Sequence, residues 1–170
     1  HDLPNNLLFT RREPLGVVGL ITPWNFPIAI PAWKMAPALV SGNAVVLKPA
    51  SQAPAMSLEL AKALAEAGLP KGVVNVVTGD GRAVGGELAS NTNVAALSFT
   101  GSYKVGAQIY QQLAQRMARA QMEMGGKNPT IVLADADLDL AAHLVAIFTS
   151  NEDLIVDFFA AGLVEALSAS

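Results

Sequence analysis

The sequence predicts an α/β protein built on an open, doubly wound parallel sheet. Short apolar runs alternate along the chain with longer segments whose apolar residues recur at helical spacing. The short runs are typical of buried strands, and the longer segments are typical of amphipathic helices. Strands that alternate with helices form right-handed βαβ units, whose strands are parallel. Because ligands bind such sheets at the carboxyl ends of the strands, the residues that follow each strand are the first candidates for a site.

Each predicted strand is a short apolar run followed by a glycine or a polar residue, which ends it. Five strands are predicted at residues 15–21, 44–47, 73–77, 94–99 and 120–124, and a further short strand at 130–133 precedes an Asp-rich turn at 135–139.

Four helices are predicted between these strands. The first begins between residues 28 and 31 and ends at Ser41 and Gly42, and Pro37 predicts a kink or a broken hydrogen-bond ladder within it. The second covers residues 54–67, and the third runs from an Asp80 cap to Ala89. The second and fourth helices are predicted to bury apolar faces formed by Met56, Leu60, Leu64 and Ala67 and by Val105, Ile109, Leu113 and Met117.

Residues 1–150 are predicted to form one domain, and residues 151–170 a helical tail that is not a separate domain. Asn151 can cap this tail helix, which we expect over residues 152–169. Its apolar residues are expected to cover part of the sheet or a second subunit, and they are Leu154, Ile155, Phe158, Phe159, Leu163, Ala166 and Leu167.

Composition excludes several classes of protein. Hydrophobic residues make up 52% of the chain and charged residues 15%, which excludes a disordered chain. The net charge of −3 provides no basic surface for nucleic acid. No apolar run approaches the roughly 20 residues that span a bilayer, and no signal peptide is recognised, so we expect a cytoplasmic protein without a membrane partner.

The chain contains no cysteine. Disulfides, cysteine-bound metals and thiolate catalysis are therefore excluded within it. Its two histidines, His1 and His143, do not have the spacing of metal ligands, so no metal site is predicted.

The stretch Thr22-Pro23-Trp24-Asn25-Phe26-Pro27 follows the first strand. Each proline fixes its own φ and restricts the residue before it, so the stretch is predicted to be a stiff bend. The Asn25 amide could donate there to an oxygen that gains charge during a reaction. The alternative is that Asn25 only hydrogen-bonds to a nearby backbone group, as Asn often does in turns.

A second candidate lies after the fourth strand, where Phe99-Thr100-Gly101-Ser102 runs into a helix that carries Gly106. Gly101 and Gly106 have the spacing of the first and third glycines of G-x-G-x-x-G, with Tyr103 in the place of the middle one. Ser102 and the free N–H groups of the helix could hold a phosphate. A plain helix start with a Ser cap is the alternative.

Two charged residues also follow or lie within apolar strands. Lys48 is predicted at the rim of the sheet, either as a ligand for a cofactor's ribose or phosphate or as an ordinary solvated charge. Glu123 lies between Met122 and Met124, an apolar setting that would suit a general base. The alternative for Glu123 is an ion pair with a nearby Lys.

These motifs, together with Leu47-Lys48-Pro49 and Met122-Glu123-Met124-Gly125-Gly126-Lys127, resemble in order and spacing the NAD(P)-dependent aldehyde dehydrogenases. The resemblance extends over about residues 8–144, and it is nearest to the semialdehyde dehydrogenases. It implies a Rossmann-like domain that binds a nicotinamide dinucleotide.

The resemblance also implies roles for individual residues. It makes Asn25 the amide of the oxyanion hole, Lys34 a residue of a proton relay, and Glu123 the base that activates the hydrolytic water. The positions that match contacts of the cofactor are Ile21, Thr22, Pro23, Trp24, Lys48, Ser51, Gly81, Gly85, Phe99, Thr100, Gly101, Ser102 and Val105.

Ser51 departs from the pattern of the NAD-preferring members, which usually carry a Glu that binds both ribose hydroxyls. A neutral Ser does not repel a 2′-phosphate, so we expect NADP to be tolerated or preferred.

The family's nucleophile is a cysteine that follows a Gly-Gln-x-Cys pattern, expected at about residues 151–161. The chain has Asn151-Glu152-Asp153-Leu154 there, and Asp157 is no substitute for a thiolate. We therefore expect a truncated aldehyde dehydrogenase-like protein that binds cofactor without turnover, and we expect it to self-associate through exposed apolar surface. The alternatives are a non-catalytic assembly module that kept the fold, or one half of a split enzyme whose other chain supplies the cysteine.

Overall fold

The computed structural model describes residues 9–125, 133, 135–140 and 143. The chain divides into two units, His1–Gly125 and Gly126–Ser170. The described strands are β1 Val17–Ile21, β2 Ala44–Lys48, β3 Val74–Val76, β4 Val94–Gly101 and β5 Arg119–Met124. The described helices of the first unit are α1 Ala29–Val40, α2 Pro54–Glu66, α3 Gly81–Ser90 and α4 Tyr103–Gln115.

The second unit is described only in part. Within it the Asp137 carboxylate accepts a hydrogen bond from the backbone N–H of Leu140 at 3.0 Å, which caps a helical segment at residues 138–140 in the predicted Asp-rich region. The predicted tail at 152–169 lies outside the described residues, as does the predicted strand at 130–133 except for Leu133.

The five strands form one sheet in the order β3-β2-β1-β4-β5, and every neighbouring pair is parallel. From β1 the chain moves outward to β2 and β3, and it then returns through α3 to β4 on the other side of β1. The strand order therefore reverses between β1 and β4. In open α/β sheets this reversal opens a crevice at the carboxyl ends of the two strands, where ligands bind.

Helices cover both faces of the sheet, which confirms the predicted doubly wound architecture. On one face α1 and α2 pack against Leu20, Val45 and Leu47. On the other face α3 and α4 pack against Leu97 and Phe99. No helix in the described part of the chain is both long and apolar enough to cross a membrane.

The pairing register of β1 and β4 shifts near their amino ends, and this shift sets the face on which each β4 side chain lies. Val17 pairs with Val94 and Val18 pairs with Ala96, so β4 has one additional residue at this point. After the irregularity Leu97 and Phe99 face α3 and α4. The intervening Ser98 therefore faces α1, because successive side chains of a strand alternate between the two faces.

Two predictions about the apolar faces of the helices are wrong. Met117 does not belong to the core, because α4 ends at Gln115 and Met117 has a φ of 56° and a side chain that is 90% exposed. Val105, at the other end of the predicted stripe, is also exposed, whereas Ile109 and Leu113 are buried.

In α2 the buried face is rotated from the predicted one. Ser57 is fully buried, and Leu60 and Leu64 pack against the core, whereas Met56 and Ala67 are exposed. The most buried residue of α2 is therefore a small polar one, at a position that a search for apolar residues passes over.

Asn43 joins the start of the sheet to the end of the first helix, a role that the sequence analysis missed. Its Oδ1 accepts hydrogen bonds from the backbone N–H groups of Leu15 at 2.6 Å and Gly16 at 3.1 Å. Its Nδ2 donates to the carbonyl of Ala38 at 3.0 Å. Because Asn43 is buried, these bonds are protected from water, and they fix the entry of the chain into β1.

Replacing Asn43 by Ala is expected to lower the free energy of unfolding by about 2–3 kcal/mol, because buried backbone groups lose their partner. Urea unfolding measures the effect as a lower midpoint at an unchanged m-value. The matched control is Asn93→Ala at an exposed position, where we expect a change within about 0.5 kcal/mol. Equal midpoints for the Asn43 and Asn93 variants would contradict this role.

Candidate functional site

The bend predicted after β1 is present, and its residues differ in burial. Thr22 is 3% exposed, and its backbone N–H donates to the carbonyl of Lys48 at 3.2 Å. Its buried Oγ1 has no hydrogen-bond partner among the described residues. Trp24, Asn25 and Phe26 are exposed. Ile21 and Thr22 are thus fixed by the sheet, and the rest of the bend projects from its carboxyl edge.

Asn25 makes no side-chain hydrogen bond to another residue in the described part of the chain. The alternative of a turn residue bonded to nearby backbone therefore has no support in its contacts. Its amide is free to donate, which the predicted oxyanion-hole role requires. Within the described part of the chain no hydrogen bond joins Asn25 to Lys34 or Glu123.

Lys48 is not a solvated charge. It is the last residue of β2 and only 5% exposed, and its Nζ donates to the carbonyl of Pro49 at 2.9 Å. Burial lowers the pKa of Lys48, and the negative charge of Asp80 partly opposes this effect. Because the Pro49 carbonyl accepts only one of its hydrogen bonds, the ammonium group still has N–H donors for an oxygen atom of a ligand.

The start of α3 lies beside Lys48. Asp80 caps the helix by accepting from the backbone N–H groups of Arg82 at 2.8 Å and Ala83 at 3.0 Å. These hydrogen bonds, more than the charge of Lys48, lower the pKa of the Asp80 carboxyl. Ser51 reaches the same loop, because its Oγ donates to the carbonyl of Gly79 at 3.2 Å. Lys48, Ser51 and the first turn of α3 therefore form one wall of the crevice.

The two predicted glycines of α3 have different surroundings. A Cβ on Gly81 would have no atom within 4 Å, so open space borders the helix start. A Cβ on Gly85 would lie 3.7 Å from Ile21 Cδ1, an ordinary contact. Open space beside the start of α3 and a buried ammonium fits the ribose oxygens of a dinucleotide.

Gly101 at the end of β4 and Gly106 in α4 pack closely against the side chain of Phe99. A Cβ on Gly101 would lie 2.6 Å from Phe99 Cζ, and one on Gly106 would lie 2.5 Å from Met124 Sδ. Ser102 caps α4, with its Oγ 3.4 Å from the backbone nitrogen of Val105. The predicted Ser cap of this helix is therefore present, and the other N–H groups of the first turn have no partners within the helix. Thr100 precedes them at the strand end.

Lys34 and Glu123 belong to a hydrogen-bonded network on the other face of the sheet. Lys34 Nζ donates to Ser98 Oγ at 2.6 Å and to Gln121 Oε1 at 3.0 Å. Gln121 Nε2 donates in turn to Glu123 Oε1 at 2.9 Å. Burial lowers the pKa of Lys34, and the charge of Glu123 opposes this effect. This network brings together two of the three predicted catalytic residues.

The apolar setting predicted for Glu123 is wrong. Strand β5 alternates, so Ala120 and Met122 pack on the core while Gln121 and Glu123 lie on the exposed side. Sequence reasoning missed Ser98 and Gln121 in this network. The sequence does contain a signal for Gln121. It lies two positions before Glu123 on the same strand, and such residues lie on the same face.

Comparison with known proteins identifies the family to which the chain is similar. The model of the aldehyde dehydrogenase family matches residues 2–151. The chain is 58% identical over 143 residues to the alpha-ketoglutarate semialdehyde dehydrogenase of Haloferax volcanii, an alignment that covers 84% of this chain and 30% of that protein. The chain therefore spans about 30% of the length of this curated relative.

Solved structures show the same fold. The NAD-dependent aldehyde dehydrogenase of Sinorhizobium meliloti matches with a TM-score of 0.70 and 49% identity, over 79% of this chain and 27% of that one. An NAD⁺ complex of aldehyde dehydrogenase from Bacillus cereus matches with a TM-score of 0.70 and 46% identity, over 78% and 27% of the two chains. The family match and the shared sheet establish that the chain belongs to the aldehyde dehydrogenase family.

Proposed function

We propose that this chain is the cofactor-binding part of an aldehyde dehydrogenase and binds NAD or NADP in the crevice between β1 and β4. The observation that supports this most strongly is the buried Lys48 ammonium beside the first turn of α3, at the carboxyl edge of a sheet whose strand order reverses there. The NAD⁺ complex of the Bacillus cereus relative supports the choice of ligand.

In this proposal Lys48 holds the adenosine ribose, and the N–H groups in the first turn of α4 that Ser102 leaves uncapped face the phosphates. Ile21, Thr22, Pro23 and Trp24 line the path toward the nicotinamide. The bound cofactor supplies a hydride acceptor. Around it the chain excludes water with the apolar side chains at the ends of β1 and β4.

Three residues are proposed to act on the aldehyde substrate. Asn25 donates to the substrate oxygen, Glu123 accepts a proton from water, and Lys34 acts beside Glu123 in proton transfer. The 170 residues contain no cysteine, so the chain by itself has no thiolate to attack an aldehyde. We therefore propose cofactor binding without turnover, with an aldehyde or semialdehyde as substrate only where a nucleophile is supplied from elsewhere.

The organisation of residues 1–150 as one cofactor-binding domain, self-association and a cytoplasmic location remain predictions. Sedimentation distinguishes a monomer from an assembly.

Binding is expected to quench the fluorescence of Trp24 in a saturable way. Trp33→Phe removes the other tryptophan, so Trp24 becomes the single reporter. In this background Lys48→Met is expected to weaken NAD(P) binding about 10- to 100-fold, because one charge-assisted hydrogen bond is lost.

The matched control for Lys48→Met is Lys71→Met, since Lys71 is exposed near the amino end of β3 and should leave the affinity unchanged. Equal affinities for the two variants would contradict the role of Lys48. If calorimetry detected no binding of NAD or NADP at millimolar concentration, the non-catalytic assembly module would replace the proposed function.

Ser51 is expected to let the chain tolerate or prefer NADP. Ser51→Glu should weaken NADP binding about 10-fold or more, because its carboxylate would repel the 2′-phosphate. Ser51→Gln has a similar size without the charge and should leave the affinity for NADP largely unchanged. Equal or tighter binding of NAD by the unaltered chain would contradict this expectation.

The purified chain is expected to produce no NADH or NADPH from cofactor and an aldehyde, including a semialdehyde. Absorbance at the wavelength of the reduced cofactor measures this directly. Robust aldehyde-dependent production would overturn the proposal of binding without turnover. Production that begins only when a second polypeptide with a Gly-Gln-x-Cys segment is added would favour the split enzyme.

A further inference from the structure

The amide of Gln121 connects the two charged groups of the network on the α1 face. Its Oε1 accepts from Lys34 Nζ at 3.0 Å, and its Nε2 donates to Glu123 Oε1 at 2.9 Å. An amide is one of the few side chains that can accept from an ammonium and donate to a carboxylate at the same time. Its dipole is then aligned with both charges.

The fold fixes the position of Gln121 relative to both partners. Gln121 pairs with Ser98 and Glu123 pairs with Thr100 in the parallel register of β4 and β5. Residues two apart on one strand project from the same face, so the carboxylate of Glu123 lies within reach of the Gln121 amide. Ser98 Oγ also donates to Gln121 Oε1 and accepts from Lys34 Nζ, which restrains the amide from a second direction.

We propose that Gln121 is a positioning residue that holds the Glu123 carboxylate and couples it to the Lys34 ammonium. A Glu on an exposed strand face samples several rotamers, and one directed hydrogen bond favours the rotamer in which Oε1 faces the amide. The other carboxylate oxygen is then oriented away from the amide. The significance for catalysis rests on the proposed function of Glu123 as a base, whereas the coupling itself is independent of cofactor binding.

Few other charges act on this network from the described elements. Lys34 is the one charged residue of α1, and neither β1 nor β4 carries any. On β5 the exposed Arg119 lies on the same face as Gln121 and Glu123. Arg119 is unchanged in every variant below, so its effect on the pKa of Lys34 is the same in all the proteins that are compared.

The test is a double-mutant cycle with the pKa of Lys34 as its readout. That pKa is followed by NMR in protein with labelled lysine, and Lys34→Met identifies the signal. Glu123→Gln is expected to lower the pKa of Lys34, because the carboxylate that favours the ammonium is removed. Gln121→Met keeps the length of the side chain and removes its hydrogen bonds to Lys34, Ser98 and Glu123. In that background the effect of Glu123→Gln is expected to fall to about half or less.

The proposal would be overturned if Glu123→Gln lowered the pKa of Lys34 equally in the unaltered background and in the Gln121→Met background. Gln121→Thr, a good strand former, provides a second background if the Met variant folds poorly. Gln112→Met is the matched control on an exposed site of α4, and it should leave the cycle unchanged. The affinity for NAD(P) should be the same in the Gln121 variants, so a failure of the coupling is distinct from a failure of cofactor binding.

Discussion

The position of β1 in the middle of the sheet is the constraint on which the candidate site depends. Because β1 lies between β2 and β4, its carboxyl end adjoins both strand ends that carry candidate cofactor residues. Ile21 is paired with Lys48 on one side and with Phe99 on the other. The bend, the buried lysine and the glycine turn lie far apart in sequence, and this pairing brings them to one edge.

The alternation of side chains along the strands then separates two kinds of chemistry. Lys48 and Phe99 face the side of α3 and α4, where open space at the start of α3 and uncapped N–H groups at the start of α4 favour a dinucleotide. Ser98, Gln121 and Glu123 face the side of α1, where Lys34 reaches them. A shift of one residue in the pairing of β4 would exchange these faces, so the irregular pairing near Val94 helps to define the site.

Much of this arrangement could be predicted from the sequence, because strands, turns and glycines have local signals. Lys48 was predicted at the strand end, but its burial depends on packing that no local pattern encodes. Asn43 was missed because its partners lie on two other segments of the chain. Met117 matched the helical period, yet the helix ended before it, since a period shows which positions align and not where the helix stops.

The most direct test of the cofactor crevice is a map of backbone amide shifts by NMR during a titration with NADP. Binding of the dinucleotide in this crevice predicts saturable shifts at the starts of α3 and α4, at Gly81, Arg82, Gly101 and Ser102, and none at Gly72 and Asn93 beside the amino ends of β3 and β4. Shifts confined to the amino edge, or no shifts at millimolar NADP and NAD, would contradict it.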